Sequence, residues 1–91
     1  MATVVWTDEA VVRLGLIARY IAMFDPVAAE RMSDRLIAAS QSLSDFPRRG
    51  RPGIKGTREL PSIRPYVIVY DVVADEVRIL DIRHGAQRPR D

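Results

Sequence analysis

The first half of the chain contains two stretches in which apolar residues recur every three or four positions, the pattern of an amphipathic helix. The first stretch covers roughly residues 8–22, with apolar positions Val11, Leu14, Ile17, Ala18 and Ile21. The second begins at Asp25-Pro26 and runs to about residue 44, with apolar positions Ala29, Met32, Leu36, Ala39 and Leu43, widened by Ile37. Because the link between them is so short, we predict an antiparallel helical hairpin.

The remaining segments alternate in the manner of β-strands. Residues 3–6 form a short strand-like run ahead of the first helix, where Thr7 suits an N-cap and Trp6 with Val11 suits a hydrophobic staple. Residues 66–73 and 77–83 predict two strong strands joined by a turn at residues 74–76, whereas residues 54–60 predict a weaker strand interrupted by Gly56. Residues 46–53, which we call the basic loop, hold four Gly or Pro residues and three arginines, and they predict a loop.

The predicted order of elements is therefore β-α-α-β-β-β. Neither helix connects two strands in a βαβ crossover, which argues against a doubly wound parallel sheet. We predict an α+β fold in which the helical hairpin packs on one face of a mostly antiparallel sheet. The length of 91 residues predicts a single domain spanning residues 1–91.

The composition of the chain limits which kinds of functional site and which cellular location we expect. The chain has no cysteine, which excludes disulfide bonds and thiolate metal sites and suits a reducing cytoplasm. No signal peptide and no apolar run of membrane-spanning length is evident, so we expect a cytoplasmic protein. Residues 1–46 hold four arginines against six acidic residues, whereas residues 47–91 hold ten basic residues against six acidic ones. We therefore expect an acidic or polyanionic partner to approach the second half.

The order of motifs along the second half resembles that of the RelE/ParE superfamily of toxins. The resemblance lies in Phe46-Pro47, Gly50-Arg51-Pro52, the run Gly56–Pro61, the run Tyr66–Tyr70 and the ending Arg83-His84-Gly85-Ala86, and the helical hairpin also fits. It implies a cytoplasmic toxin of a bacterial type II toxin–antitoxin system, bound and neutralised by a cognate antitoxin in a heteromeric complex. Two activities share this fold: RelE-like members cut mRNA on the ribosome, and ParE-like members bind and poison DNA gyrase.

The resemblance also indicates which positions a nuclease would use. When the chain is aligned with RelE-like enzymes on the Tyr-x-x-x-Tyr strand, Arg58 matches their first basic position. Leu60 stands where a second cation would be needed. Val67 stands where RelE-like enzymes carry an arginine, and Gln87 falls at a C-terminal basic position next to Arg88. Because most of the nuclease set is unmatched, the sequence favours a ParE-like inhibitor. A nuclease with a different set of catalytic residues would use Arg58, Arg83 and His84.

Two groups of residues have a functional and a structural interpretation. His84 is the only histidine and has the pKa range for proton transfer, but one histidine without matched partners more often ends a strand as a hydrogen-bonded residue. Residues proposed to bind the target or RNA are basic, although they also suit a solvated surface. They are Arg48, Arg49, Arg51, Lys55, Arg58, Arg64, Arg83 and Arg88. Tyr66 and Tyr70 share one strand face with Ile68 and Val72, which favours half-buried core.

Three hypotheses remain open. The first is a gyrase-directed toxin that inhibits growth by binding; the second is a ribosome-dependent mRNA endonuclease; the third is a non-toxic binding module. We expect no cofactor and no metal site, since a single histidine without cysteine falls short of a usual ligand set. We expect the antitoxin to cover the basic half with an acidic, amphipathic tail, through an apolar groove beside the hairpin and a sheet edge exposed by the short first strand.

Overall fold

The structure is a computed structural model and describes residues 1–85. Strand β1 at Thr3–Trp6 precedes two helices, α1 at Asp8–Ala22 and α2 at Pro26–Gln41. In the part of the chain that the structure describes, four more strands follow: β2 at Arg51–Pro52, β3 at Arg58–Ile63, β4 at Tyr66–Val73 and β5 at Glu76–His84. The predicted α+β order is confirmed, with one short strand added.

All five strands form one sheet in the order β1-β5-β4-β3-β2. Strand β1 runs parallel to β5, and every other neighbouring pair is antiparallel. After β1, the chain passes through the helical hairpin and three other strands before β5 returns to pair with β1. The first and last strands of the chain therefore lie side by side. The short strands β1 and β2 are the two edges, which agrees with the predicted exposure of an edge by the first strand.

Both predicted helix starts are confirmed. The Thr7 hydroxyl accepts a hydrogen bond from the Ala10 amide at 3.2 Å and donates one to the Ile79 carbonyl at 2.8 Å. Thr7 therefore caps α1 and ties its start to β5. A carboxylate oxygen of Asp25 accepts from the amides of Val27 and Ala28, both at 3.1 Å, with Pro26 at the first helical position.

The core lies between the hairpin and one face of the sheet, which we call the covered face. Its fully buried members share an apolar or small side chain. They are Ala10, Leu36, Leu43, Leu60, Ile68, Tyr70, Val77, Ile79 and Ile82. On β4 and β5 these positions follow the alternation that the sequence predicted, except at a bulge where the register shifts between Val69 and Tyr70.

Three details of the prediction are wrong. Val11 was expected on the apolar face of α1, but it is 54% exposed, and Ala10 is buried instead. Ile37 also lies outside the core. Helix α2 ends at Gln41, and residues 42–44 tighten into a 3₁₀ turn. Apolar periodicity defines a helix face only to within about one residue, because neighbouring positions lie 100° apart around the axis.

The weak strand is displaced as well. Ile54–Gly56 is a 3₁₀ turn with Lys55 and Gly56 at positive φ, and the strand begins only at Arg58. Within the basic loop, Arg51 and Pro52 pair with Glu59 and Arg58 to make the short strand β2. This pairing depends on β3 as a template, so no local pattern in residues 46–53 indicated it.

Candidate functional site

The basic loop is anchored to the core by one tyrosine. Tyr70 is fully buried, and its hydroxyl donates to the Pro47 carbonyl at 2.8 Å and accepts from the Gly50 amide at 2.8 Å. A Cβ added to Gly50 would lie 2.6 Å from that hydroxyl and 2.8 Å from the Glu59 carbonyl oxygen. The loop can approach Tyr70 this closely only because residue 50 has no side chain.

Arg58 reinforces the same loop. It pairs across the strands with Tyr70, on the covered side of the sheet. Its guanidinium donates to the Gly50 carbonyl at 2.7 Å and to the Arg48 carbonyl at 3.3 Å. This candidate for catalysis or target binding therefore holds backbone carbonyls that would otherwise lack a partner in the loop.

The opposite face of the sheet, which we call the open face, has a charged cluster at its centre. Glu59 is 7% exposed, and its Oε1 lies 3.1 Å from Arg51 Nη2 and 3.0 Å from Arg83 Nη2. Burial by itself raises the pKa of Glu59, but the hydrogen bonds and charges of Arg83 and Arg51 outweigh it and hold the pKa below its ordinary value. Glu59 is thus a carboxylate shared by two arginines.

His84 ends β5 at the far end of the sheet. It pairs with Tyr66, and the two rings meet edge to face with centroids 5.9 Å apart. The imidazole is exposed and combines a strand-end position with an aromatic contact. Both the structural and the chemical interpretation of this histidine fit that environment.

The three residues of the hypothetical nuclease do not converge. Arg83 pairs with Glu59 on the open face, whereas Arg58 reaches the basic loop from the covered side. His84 is opposite Tyr66 and Arg58 is opposite Tyr70, four residues along β4, which separates them by about 13 Å. No single phosphate can touch all three side chains in this arrangement.

The two unmatched nuclease positions are both buried and apolar. Leu60 belongs to the core beneath the hairpin, at 3% exposure, and Val67 is 4% exposed on the open face beside Arg83. An arginine at either position would be buried, which is costly for a charged group without a partner. The apolar residues here are therefore part of the packing of the sheet.

The other basic candidates separate into two groups. Arg48, Arg49, Lys55 and Arg64 are exposed, and Arg49 donates to the Ser42 hydroxyl at 2.6 Å. Arg51, Arg58 and Arg83 are engaged by Glu59 or by loop carbonyls, and of these Arg51 is also exposed, with 59% of its side chain accessible. Arg88 lies outside the described residues, as does Gln87.

Two concave surfaces lie beside these cations. The first, which we call the loop groove, has a volume of about 570 Å³ and is lined by Phe46, Pro47, Arg48, Arg49, Val72 and Ala74. Phe46 is two-thirds exposed there, with two arginines at its side. The second, which we call the open-face groove, has about 410 Å³ and is lined in part by Arg51, Arg64, Tyr66, Val67 and Gly85.

Sequence reasoning missed the two residues that organise the site. Glu59 entered only as a member of the run Gly56–Pro61, and Tyr70 only as half-buried core. The alternation of β3 does place Arg58 and Glu59 on opposite faces, but which arginines reach Glu59 depends on the pairing of β2, β3 and β5.

Among residues 1–85, no cluster of three His, Cys, Asp or Glu side chains is suited to a metal ion. In the same range, neither helix combines the length and apolar character needed to cross a bilayer.

Comparison with known proteins identifies relatives that are all described as toxins or toxin–antitoxin systems. Residues 4–89 match the family described as the ParE toxin of the type II toxin–antitoxin system parDE. The chain is 47% identical over 87 residues to toxin RelE2 of Caulobacter vibrioides, covering 96% of this chain and 99% of that protein. A solved structure described as the chromosomal ParDE system from P. aeruginosa superimposes with a TM-score of 0.82, at 26% identity, covering 92% of this chain and 96% of that one.

Proposed function

The chain belongs to the ParE toxin family of type II toxin–antitoxin systems, and from that premise we propose that it inhibits growth in the cytoplasm by binding DNA gyrase. The family implies a cognate antitoxin as its partner. A toxin that acts by binding needs an accessible, chemically distinctive surface, whereas a ribonuclease needs convergent proton-transfer groups and cations. The side chains on this sheet fit the first requirement better than the second.

The observation that carries the proposal is the pairing of charged side chains on the open face. Its arginines, Arg51 and Arg83, are already engaged by Glu59, and Val67 contributes a buried methyl surface beside them. RNA cleavage by the 2′-hydroxyl needs a base that takes up its proton. Glu59 is a poor base at neutral pH, because its pKa is held below the ordinary value and its Oε1 already accepts hydrogen bonds from Arg51. Arg58 faces away from this cluster.

The cations that remain available are suited to a protein surface. Arg48, Arg49, Lys55 and Arg64 are exposed, and residues 48–58 contain no aromatic side chain on which a base would stack. Charge complementarity of this kind steers a partner and sets its orientation. We assign Arg48 and Arg49, at the mouth of the loop groove, as the first contacts with gyrase.

Supercoiling by purified gyrase is the test. The chain should inhibit supercoiling and accumulate cleaved DNA, and the cognate antitoxin should reverse both effects. The double variant Arg48→Gln/Arg49→Gln should inhibit at least tenfold less, because two exposed charges are removed from the contact. The matched control is Arg31→Gln/Arg35→Gln, which removes two exposed arginines from α2. No effect of the unmodified chain at large excess would exclude gyrase as the target.

A ribosome-dependent endonuclease is the second candidate, because a relative at 47% identity carries the name toxin RelE2. In that case mRNA on purified ribosomes should be cut when the chain is added, and Arg58, Arg83 and His84 are the first substitutions. Cutting without any gyrase effect would replace the first proposal by this one. A chain that arrests neither gyrase nor translation, and whose expression does not slow growth, would be a non-toxic binding module.

The antitoxin contact follows from the same surface. The loop groove joins an exposed aromatic ring, Phe46, to two arginines, which matches a segment that has an apolar side chain flanked by carboxylates. An acidic, amphipathic antitoxin tail has this composition, and it would add a strand at an edge of the sheet. We expect such a tail to cover Arg48 to Arg58 together with the Arg83 to Arg88 segment.

The affinity for the antitoxin tests this contact independently of the cellular target. Phe46→Ser and the Arg48→Gln/Arg49→Gln double variant should each weaken binding in calorimetry, and only the charge variant should reduce the salt dependence. Leu16→Ser, which changes an exposed apolar residue on α1, is the control. A complex in which the loop groove stays uncovered would contradict this contact but leave the gyrase proposal standing.

A further inference from the structure

Glu59 is the only buried charged side chain in residues 1–85, and it lies on the open face of the sheet together with Arg51 and Arg83. We propose that Glu59 is a selectivity residue that keeps the open face from binding single-stranded RNA, by holding Arg51 and Arg83. This inference goes beyond the proposed function, because it concerns what the face excludes. The result of its test does not depend on whether gyrase is the target.

The geometry explains the exclusion. Arg51 donates to Glu59 Oε1 through Nε at 3.2 Å and Nη2 at 3.1 Å, and Arg83 Nη2 lies 3.0 Å from the same oxygen. Glu59 therefore offsets part of the positive charge of these two arginines. A phosphate that recruits either arginine must compete with a carboxylate that is already in place.

The carboxylate cannot be displaced without penalty. Glu59 sits within β3, paired with Arg51 on one side and Val69 on the other, so its backbone is fixed by two neighbouring strands. Removing one arginine from it would leave this buried carboxylate with one ion pair in place of two, which is unfavourable. RNA therefore meets a cluster whose internal pairing it would have to break.

The surroundings would otherwise suit a nucleotide. The open-face groove, of about 410 Å³, lies beside the cluster and is lined by Arg51, Arg64 and Tyr66 among others. Cations along a groove attract the phosphate backbone of a single strand. With the charge of Glu59 removed, the charges of Arg51 and Arg83 would no longer be offset by this carboxylate, and Arg64 adds a third cation beside the groove.

Binding of a labelled oligouridine RNA to the full chain tests the proposal, by fluorescence anisotropy across a series of salt concentrations. Glu59→Gln should bind about tenfold more tightly than the unmodified chain. Its slope of log K against log salt should steepen by about 1.4, since each phosphate contact on a single strand contributes about 0.7. The matched control is Glu30→Gln, the same change at an exposed position of α2, which alters net charge equally. Equal affinities of these two variants would overturn the proposal.

The gain must also depend on the released arginines. Adding Arg51→Gln or Arg83→Gln to Glu59→Gln should abolish the tighter binding, and a gain that persists in both would contradict the mechanism. A second measurement avoids any folding defect of Glu59→Gln. In the otherwise native chain, Arg51→Gln should leave the weak RNA affinity unchanged, whereas Arg48→Gln, at an exposed arginine of the same loop, should reduce it. An equal loss with both would show that Arg51 is already available to RNA.

Discussion

The two faces of the sheet stabilise the protein in different ways. The covered face excludes water through apolar side chains such as Ile68, Ile79 and Ile82, which the helical hairpin buries completely. The helical hairpin does not cover the open face, and charged side chains pair there: Glu59 with two arginines, and Asp71 with Arg78. Burial of apolar area contributes most of the folding free energy, whereas partly exposed ion pairs contribute little.

This difference separates stability from recognition. Substitutions on the covered face should act on folding whatever the partner, because a close-packed interior cannot absorb a lost side chain. Substitutions on the open face and the basic loop should leave the fold in place and change what binds. Tyr70 connects the two regions, since its ring is in the core and its hydroxyl holds the loop.

The largest effect is expected in the core. Ile68→Ala should lower the free energy of unfolding by about 3–4 kcal/mol, through lost apolar contact and the cavity left behind. Urea unfolding followed by circular dichroism measures it, and Val69→Ala, the next residue on the opposite face, should cost less than half as much. If the alanine variant does not fold, Ile68→Val should still cost about 1 kcal/mol. Equal losses at residues 68 and 69 would contradict the distinction between the faces.

Tyr70→Phe should have the next largest effect. Removing the hydroxyl leaves the buried Gly50 amide and the Pro47 carbonyl without their partner, at about 1–3 kcal/mol. Amide hydrogen exchange should rise locally in residues 48–51, with little change in the helices. Tyr66→Phe is the matched control, because that ring contacts His84 at the other end of the strand. Uniform exchange throughout the variant would mean that Tyr70 supports the core but not the loop.

A smaller effect is expected from acid. The folded state holds the pKa of Glu59 below its ordinary value of 4.5. Its contribution to stability is therefore fully present above pH 4.5 and is lost as the pH falls through the lowered pKa. Thermal melting between neutral pH and pH 3 should show a steeper loss for the native chain than for Glu59→Gln. Parallel curves for the two proteins would indicate that the ion pairs with Arg51 and Arg83 do not form in solution.

The smallest effect is expected at Arg13, which lies 3.3 Å from Asp81 with both side chains about half exposed. Arg13→Gln should change the free energy of unfolding by less than about 0.5 kcal/mol, since solvent screens such pairs. Melting at low and high salt should be nearly superimposable with the native chain. A loss above about 1 kcal/mol would mean that this pair fastens α1 to β5 more firmly than its exposure indicates.

Local patterns were sufficient for most of the fold. Apolar periodicity predicted both helices and the strands β4 and β5, and the caps at Thr7 and Asp25 were evident because a cap depends on residues within one turn. The charge difference between the two halves was also a property of composition. The order of motifs in the second half resembled a toxin family, and the match over residues 4–89 confirmed it.

Only the tertiary structure decided how the site is arranged. The two-residue strand β2, the pairing of Arg51 and Arg83 with Glu59, and the hydroxyl contact of Tyr70 with the loop join residues 6 to 24 positions apart. Alternation along a strand tells which face a side chain occupies, but not which neighbour it meets there, because that depends on register between strands. The sequence therefore determined that this chain is a basic α+β toxin, and the pairing of its strands determined which of its arginines remain available to a partner.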